Sequence, residues 1–118
     1  MATIWQQAEE LKDEMVERRR DLHRHPETGW TEFRTASMII GELKKLGYDV
    51  KFGADVIDEK SMMGVPSEAE LTDYMQRAIN EGADPELVKK MAGGKTGIVA
   101  TLKTDKPGKT VAFRFDMD

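Results

Sequence analysis

The 118-residue chain has no cysteine, four prolines, two tryptophans and two histidines. Without cysteine it can form neither a disulfide nor a thiolate metal ligand from within this segment, a composition that fits a reducing compartment, so a cytoplasmic location is expected. Nowhere do about 18 apolar residues run together, which excludes a membrane-spanning helix. The opening Met1-Ala2-Thr3-Ile4-Trp5-Gln6-Gln7 lacks a basic region followed by an apolar run, so it does not read as a secretory signal. Basic excess is missing too. The net charge is −4 with 34% charged residues, a mixed acidic surface without the basic stripe that attracts nucleic acid. Neither nucleic acid nor a membrane is an expected partner.

Large apolar residues are also scarce. Leu, Ile, Val and Phe together make up about a fifth of the chain, near the roughly 20% below which highly charged chains tend toward disorder. Eight methionines partly repair the deficit, but Met is flexible and fills gaps without fixing one packing. The length suits one domain of ordinary size whose core needs apolar surface from additional sequence.

What is present is a sequence of well-marked elements. Ile4, Ala8, Leu11, Met15 and Leu22 recur at helical spacing, predicting an amphipathic helix that persists to about His23, because Pro26 disfavours helical backbone at His25. A second helix carries Phe33, Ala36, Ile40 and Leu43 on one face, with Thr31 as its expected N-cap and Gly47 as its stop. Tyr48 to Phe52 alternates and reads as a short strand, and residues 53 to 66 read as irregular. Ser67 followed by Glu70 is a capping box, and Asp84-Pro85 is a second helix start, so residues 67–92 read as an inserted helical hairpin. Two strand patterns follow, over 96–102 and 110–115, with Pro107-Gly108 suited to a type II turn that would pair them antiparallel. Two helices, about three strands and the hairpin predict an α/β or α+β architecture, with both early helices on one face of the sheet.

Several residues invite chemistry. His23 and His25 are a tempting metal pair, yet residues two apart on a helix point about 200° from each other. A role at the helix C-terminus, where imidazole meets free carbonyls, is favoured. Gly94-Lys95-Thr96 echoes the tail of a phosphate loop, but Lys89 stands where a glycine is required and a strand rather than a helix follows. Arg18-Arg19-Arg20 face different directions on a helix, favouring solvated or ion-paired roles over a carboxylate clamp. Asp116 and Asp118 alternate to the same side of an expected strand, as a metal or general-base site would require; a polar strand end fits the pattern equally well.

Three stretches together carry a family resemblance: Arg19-Arg20-Asp21-Leu22-His23-Arg24-His25-Pro26-Glu27 with Glu32-Phe33-Arg34-Thr35-Ala36, then Thr96-Gly97-Ile98-Val99-Ala100, then Phe113-Arg114-Phe115-Asp116-Met117-Asp118. They resemble the N-terminal segment of the M20 metallopeptidase family, in its amidohydrolase branch. The long connection with Met63-Gly64-Val65-Pro66 and the hairpin are similar to the p-aminobenzoyl-glutamate hydrolase subgroup. The resemblance implies an α/β, zinc-peptidase-like catalytic domain of which residues 1–118 form the N-terminal portion. It also implies a centre of two divalent ions, Zn or Mn, that activates water and polarises an amide carbonyl of a small acyl-amino-acid substrate.

Asp116 stands where many relatives place a metal-binding His, and Asp118 matches the catalytic-site carboxylate that orients a metal-bound imidazole. The metal ligands themselves, in a Cys-Gly-His stretch, Glu and further His residues, would lie beyond this segment. No metal is therefore expected to be bound by these residues alone, and the chain is expected to be an inactive fragment working within a homo- or hetero-oligomer. The competing expectation is a truncated, non-catalytic interaction module that binds a partner subunit through its open sheet edge and Met-rich hairpin.

The thin apolar composition yields a first prediction: the isolated chain melts below the about 45–65 °C usual for mesophilic domains. Calorimetry of the purified chain checks it, and a cooperative transition inside that range would count against it.

Overall fold

The computed structural model describes residues 1–117. Seven regular elements run in the order α1 (Ile4–Glu10), α2 (Lys12–Arg24), α3 (Phe33–Lys45), β1 (Asp49–Phe52), α4 (Glu68–Asn80), α5 (Pro85–Lys90) and β2 (Ile98–Thr101), with two short 3-10 turns at Gly53–Asp55 and Glu59–Ser61.

The centre of the molecule is α3. Phe33, Ala36 and Ile40, at helical spacing, are fully buried. They pack with Leu71 and Ala78 of α4, Val88 of α5, Ala83 and Met91. Against this cluster rest Val50 and Phe52 of β1 and Ile98 of β2. The strands pair antiparallel with Val50 opposite Ala100 and Phe52 opposite Ile98, so one face of the ribbon meets α3 while Asp49, Lys51, Val99 and Thr101 alternate to the other. The α4–α5 hairpin is therefore a wall of the core, though the sequence marks it as an insertion.

Local signals determine the hairpin. Ser67 Oγ accepts from the Glu70 amide while the Glu70 carboxylate accepts from the Ser67 amide, the reciprocal capping box expected. These bonds from Ser67 hold the Glu70 carboxyl below its ordinary pKa. Asp84 caps α5 through the Glu86 amide, with Pro85 at the first helical position.

Four expectations are corrected. The first helix is two: the Leu11 amide bonds Ala8 three residues back, dividing α1 from α2, and α1 has its own capping box from Thr3 and Gln6. Of the two early helices expected on one face of the sheet, α3 packs against the ribbon, whereas α1 and α2 bury no residue. The cap of α3 is not Thr31, whose hydroxyl instead donates to the Thr28 carbonyl at 2.8 Å. Finally, residues 110–115 form no strand, leaving two strands rather than three among the described residues. Gly108 has φ +157°, far from the about +80° that the third position of a type II turn needs, so the hairpin that would bring this stretch beside β2 does not close. Val111, Phe113 and Phe115 stay exposed.

Two glycines share φ +68° but not their surroundings. A Cβ on Gly53 would sit 2.6 Å from the Lys90 carbonyl oxygen, whereas one on Gly64 would meet nothing within 4 Å. Both Gly→Ala variants incur the left-handed backbone penalty of about 1 kcal/mol. Only Gly53→Ala must also push α5 from the ribbon. Urea unfolding should show Gly53→Ala losing at least about 1 kcal/mol more than Gly64→Ala; equal losses would contradict the crowding.

Candidate functional site

The first resembling motif folds into a polar junction between α2, α3 and the end of α4. The start of α3 presents backbone amides that lie in a buried region and need acceptors. Glu27, from the loop before it, supplies them: its carboxylate accepts from the Arg34 amide at 2.8 Å, the Thr35 amide at 2.8 Å and the Thr35 hydroxyl at 2.7 Å. A negative charge at this helix end is favoured by the backbone dipoles as well. Glu32, itself buried, accepts from the Thr96 hydroxyl at 2.6 Å and so joins the start of α3 to the approach to β2.

Arg34 then ties the neighbouring helices together. Its two terminal nitrogens donate to the two oxygens of Asp21 on α2, each at 3.0 Å, and its Nε donates to the Glu81 carbonyl at 3.0 Å. Such planar, paired contact is the geometry for which guanidinium is suited. The hydrogen bonds from Arg34 hold the Asp21 carboxyl below its ordinary value of 3.8. Arg77 extends the junction, donating to the Pro26 carbonyl at 3.0 Å and to Glu81 Oε1 at 3.1 Å.

Both oxygens of Asp21 and both of Glu27 accept from donors of the fold, so the junction holds helices in place. His25 joins it: its amide donates to the Leu22 carbonyl and its Nδ1 lies 2.8 Å from the Asp21 carbonyl oxygen. His23 is exposed, and the two imidazoles are not brought together on a common ligand set. Among the described residues, no group of three or more His, Cys, Asp or Glu stands close enough to hold a metal ion. The residues present do not amount to the two-metal centre that the resemblance implies.

The other sequence candidates are placed as follows. Lys95 lies 3.6 Å from Glu59, with β2 following its loop instead of a helix. Gly94 beside it approaches Trp30, where a Cβ would come within 2.9 Å of the Trp30 carbonyl oxygen. Trp30 itself adopts φ +67° and donates from its indole to the Met63 carbonyl at 2.7 Å, fastening the irregular 53–66 stretch. Arg18 pairs with Glu14 and Glu42, and Arg20 with Glu17. Asp116 is exposed and accepts from Arg114 at 3.0 Å. Asp118 lies outside the described residues.

What sequence reading missed is the work of Glu27 and Arg34. The signal was faint: a glutamate seven and eight residues before the amides it caps fits no local capping pattern.

Comparison with known proteins places this arrangement. No family model matches the chain. It is 50% identical over 109 residues to the indole-3-acetyl-aspartic acid hydrolase of Enterobacter agglomerans, covering 92% of this chain and 25% of that protein. Over all 118 residues it is 43% identical to one of the subunits of the p-aminobenzoyl-glutamate hydrolase of Escherichia coli K12, covering 27% of it. The crystal structure of an aminobenzoyl-glutamate utilization protein from Klebsiella pneumoniae superposes with a TM-score of 0.85 at 42% identity, over 91% of this chain and 27% of that one.

The M20 amidohydrolase resemblance holds. The chain spans about a quarter of the length of the curated relatives it matches, and those relatives are named as hydrolases of acylated amino acids. The fold is that of the corresponding part of the Klebsiella protein, mixed helix and strand. No helix among the described residues is long and apolar enough to cross a membrane.

The junction predicts an acid sensitivity. Because the folded-state pKa of Asp21 lies below its unfolded value, the stabilisation is complete above the unfolded value and drains away as pH falls through the folded one. Asp21→Asn should therefore be less stable at pH 7 and show a flatter loss of stability between about pH 5 and 2 than the native chain. Arg34→Lys, which keeps the charge but loses the paired geometry, should cost about 1–3 kcal/mol. Urea titrations across pH measure both; parallel curves for Asp21→Asn and the native chain would exclude the linkage.

Proposed function

We propose that residues 1–118 form the N-terminal portion of one catalytic domain, with the 67–92 helices as an insertion, in a metal-dependent amidohydrolase. It cleaves the amide bond of a small acylated amino acid such as p-aminobenzoyl-glutamate. The observation that carries this reading is the 43% identity over 118 residues, the whole of this chain, to one component of a p-aminobenzoyl-glutamate hydrolase. The structural match at TM-score 0.85 to an aminobenzoyl-glutamate utilization protein supports it. The relative named for hydrolysis of indole-3-acetyl-aspartic acid points to the same class, an amide joining an aromatic acyl group to an acidic amino acid.

In this reading the chain provides scaffold and support while ligands for two divalent ions come from sequence that the relatives carry over their remaining three quarters. Asp118 is the supporting carboxylate: it would accept from the imidazole of a metal ligand, fixing the ring's orientation and tautomer. Asp116 would occupy the adjacent position without coordinating. The 118-residue chain by itself would then not turn over substrate, and assembly into a homo- or hetero-oligomer fits the naming of the Escherichia coli relative as one subunit of its enzyme.

The test is a graft. Residues 1–118 replace the matching quarter of the Escherichia coli relative, and release of p-aminobenzoate is followed with Zn²⁺ or Mn²⁺ supplied. The graft should hydrolyse p-aminobenzoyl-glutamate, Asp118→Asn within it should lower metal affinity or activity about 10–100-fold, and Asp116→Asn should change little. Turnover by the 118-residue chain alone would overturn the division of labour. A folded graft without activity would overturn the substrate reading.

A further inference from the structure

Among the described residues, Trp30 is the one non-glycine residue with a positive φ. Thr28 to Thr31 form a turn closed by the Thr31 amide on the Thr28 carbonyl at 2.9 Å, and Trp30, third in that turn, has φ +67°. Glycine or asparagine is favoured at such a position, because a larger side chain crowds the backbone. Gly29, the residue freest to adopt it, stands one place too early. What accompanies the strain is reach: the Trp30 indole donates to the Met63 carbonyl at 2.7 Å, 33 residues along the chain.

Met63 belongs to a segment laid along residues 94–97 and held there at three points. A Cβ on Gly97 would sit 2.6 Å from Ile57 Cδ1, so Ile57 lies directly on that glycine. Glu59 meets Lys95 at 3.6 Å. Trp30, which holds Met63, is itself seated on Gly94, where a Cβ would come within 3.1 Å of the Trp30 Cβ. Between these points the segment is bonded to itself: the Ser61 amide to the Asp58 carbonyl, the Met62 amide to the Glu59 carbonyl and the Ser61 hydroxyl to the Asp58 carboxylate. Among the described residues, the indole bond is the only hydrogen bond from 58–66 to the rest of the chain, and none of these residues belongs to the core cluster.

The backbone penalty at Trp30 and the net gain from one hydrogen bond are similar in size and opposite in sign, so the fastening is only weakly biased toward closure. We propose that residues 57–66 form a strap over the approach to β2, caught by Trp30, that opens as one unit while α3 stays folded. It is rooted where the Gly53 carbonyl takes the Val56 and Ile57 amides. Opening draws Ile57 off Gly97 and frees Lys95 from Glu59. A segment held by so few contacts opens far more readily than a core helix. These contacts lie wholly within residues 28–97 and hold whatever reaction the chain serves.

Nuclear magnetic resonance relaxation dispersion on the full 118-residue chain reads the opening. The Trp30 indole, the Ile57 methyl and the Ser61 amide report on the strap, and the Ala36 and Ile40 amides report on the core. The three strap probes should exchange at one shared rate while the core amides stay flat. Trp30→Phe, which keeps an aromatic ring but has no N–H to donate, should raise the open population seen at Ile57 and Ser61 about fivefold. Gly97→Ala displaces Ile57 at the other end and should raise the open population seen at the Trp30 indole. Both variants should leave the core amides unchanged; where Gly97→Ala disturbs them, Trp30→Phe alone decides. No exchange at the strap probes, exchange at the same rate in the core, or variants felt only at their own end would each overturn the proposal.

Discussion

The constraint on which the rest depends is the supply of hydrogen-bond acceptors to the buried start of α3. Among the described elements, this helix touches both strands and both hairpin helices. Its first turn lies inside the molecule, with Phe33, Thr35 and Ala36 all buried, so water cannot satisfy the free amides there. Glu27 meets them with one carboxylate. A side-chain cap is worth typically about 1 kcal/mol, and a charged one aligned with the helix dipole adds to that. Once α3 is fixed, Arg34 on its first turn reaches α2 and the end of α4 together, and Glu32 reaches the approach to β2. The helix start is thus where four segments take their positions.

The same constraint explains why the hairpin is part of the core rather than an ornament. α3 presents an apolar stripe wider than a two-stranded ribbon can cover. Val50, Phe52 and Ile98 cover one side of it, while Leu71, Ala78, Val88 and Met91 close the other. The connections must then pass close to one another, which is why Gly53 faces the Lys90 carbonyl and Gly94 faces that of Trp30 without side chains between. A chain with a short turn in place of residues 67–92 would have to find that apolar cover elsewhere.

How much of this was legible follows from the range of the interactions. The starts of α4 and α5 are written within four residues, in Ser67 with Glu70 and Asp84 with Pro85, and both appear as read. The apolar stripe of α3 is likewise local. Glu27 was not legible, because its partners at Arg34 and Thr35 become neighbours only after the loop through Trp30 has folded back. The alternation of 110–115 is present in the sequence but forms no strand, since period two says which side chains share a face but not which edge will accept them. Of the candidate chemistry, the capping and pairing roles of the first motif could not be told from catalytic ones by residue type alone. Charged residues in a tight motif serve both purposes.

That last ambiguity shapes how the likeness to the hydrolases is understood. Asp21, Glu27 and Arg34, which anchor the resemblance in the first third of the chain, spend their charges on holding α2, α3 and α4 together. The oxygens of Asp21 and Glu27 are engaged by a guanidinium and by backbone amides of the fold. Similarity there is similarity of scaffold. The chemistry must therefore be argued from groups that the fold leaves uncommitted, and in the first motif these are few. A likeness that rests on structural residues still carries functional weight for a different reason. The junction fixes the heading of α3, α3 fixes β1 and β2, and any site built beyond the ribbon inherits its geometry from this framework.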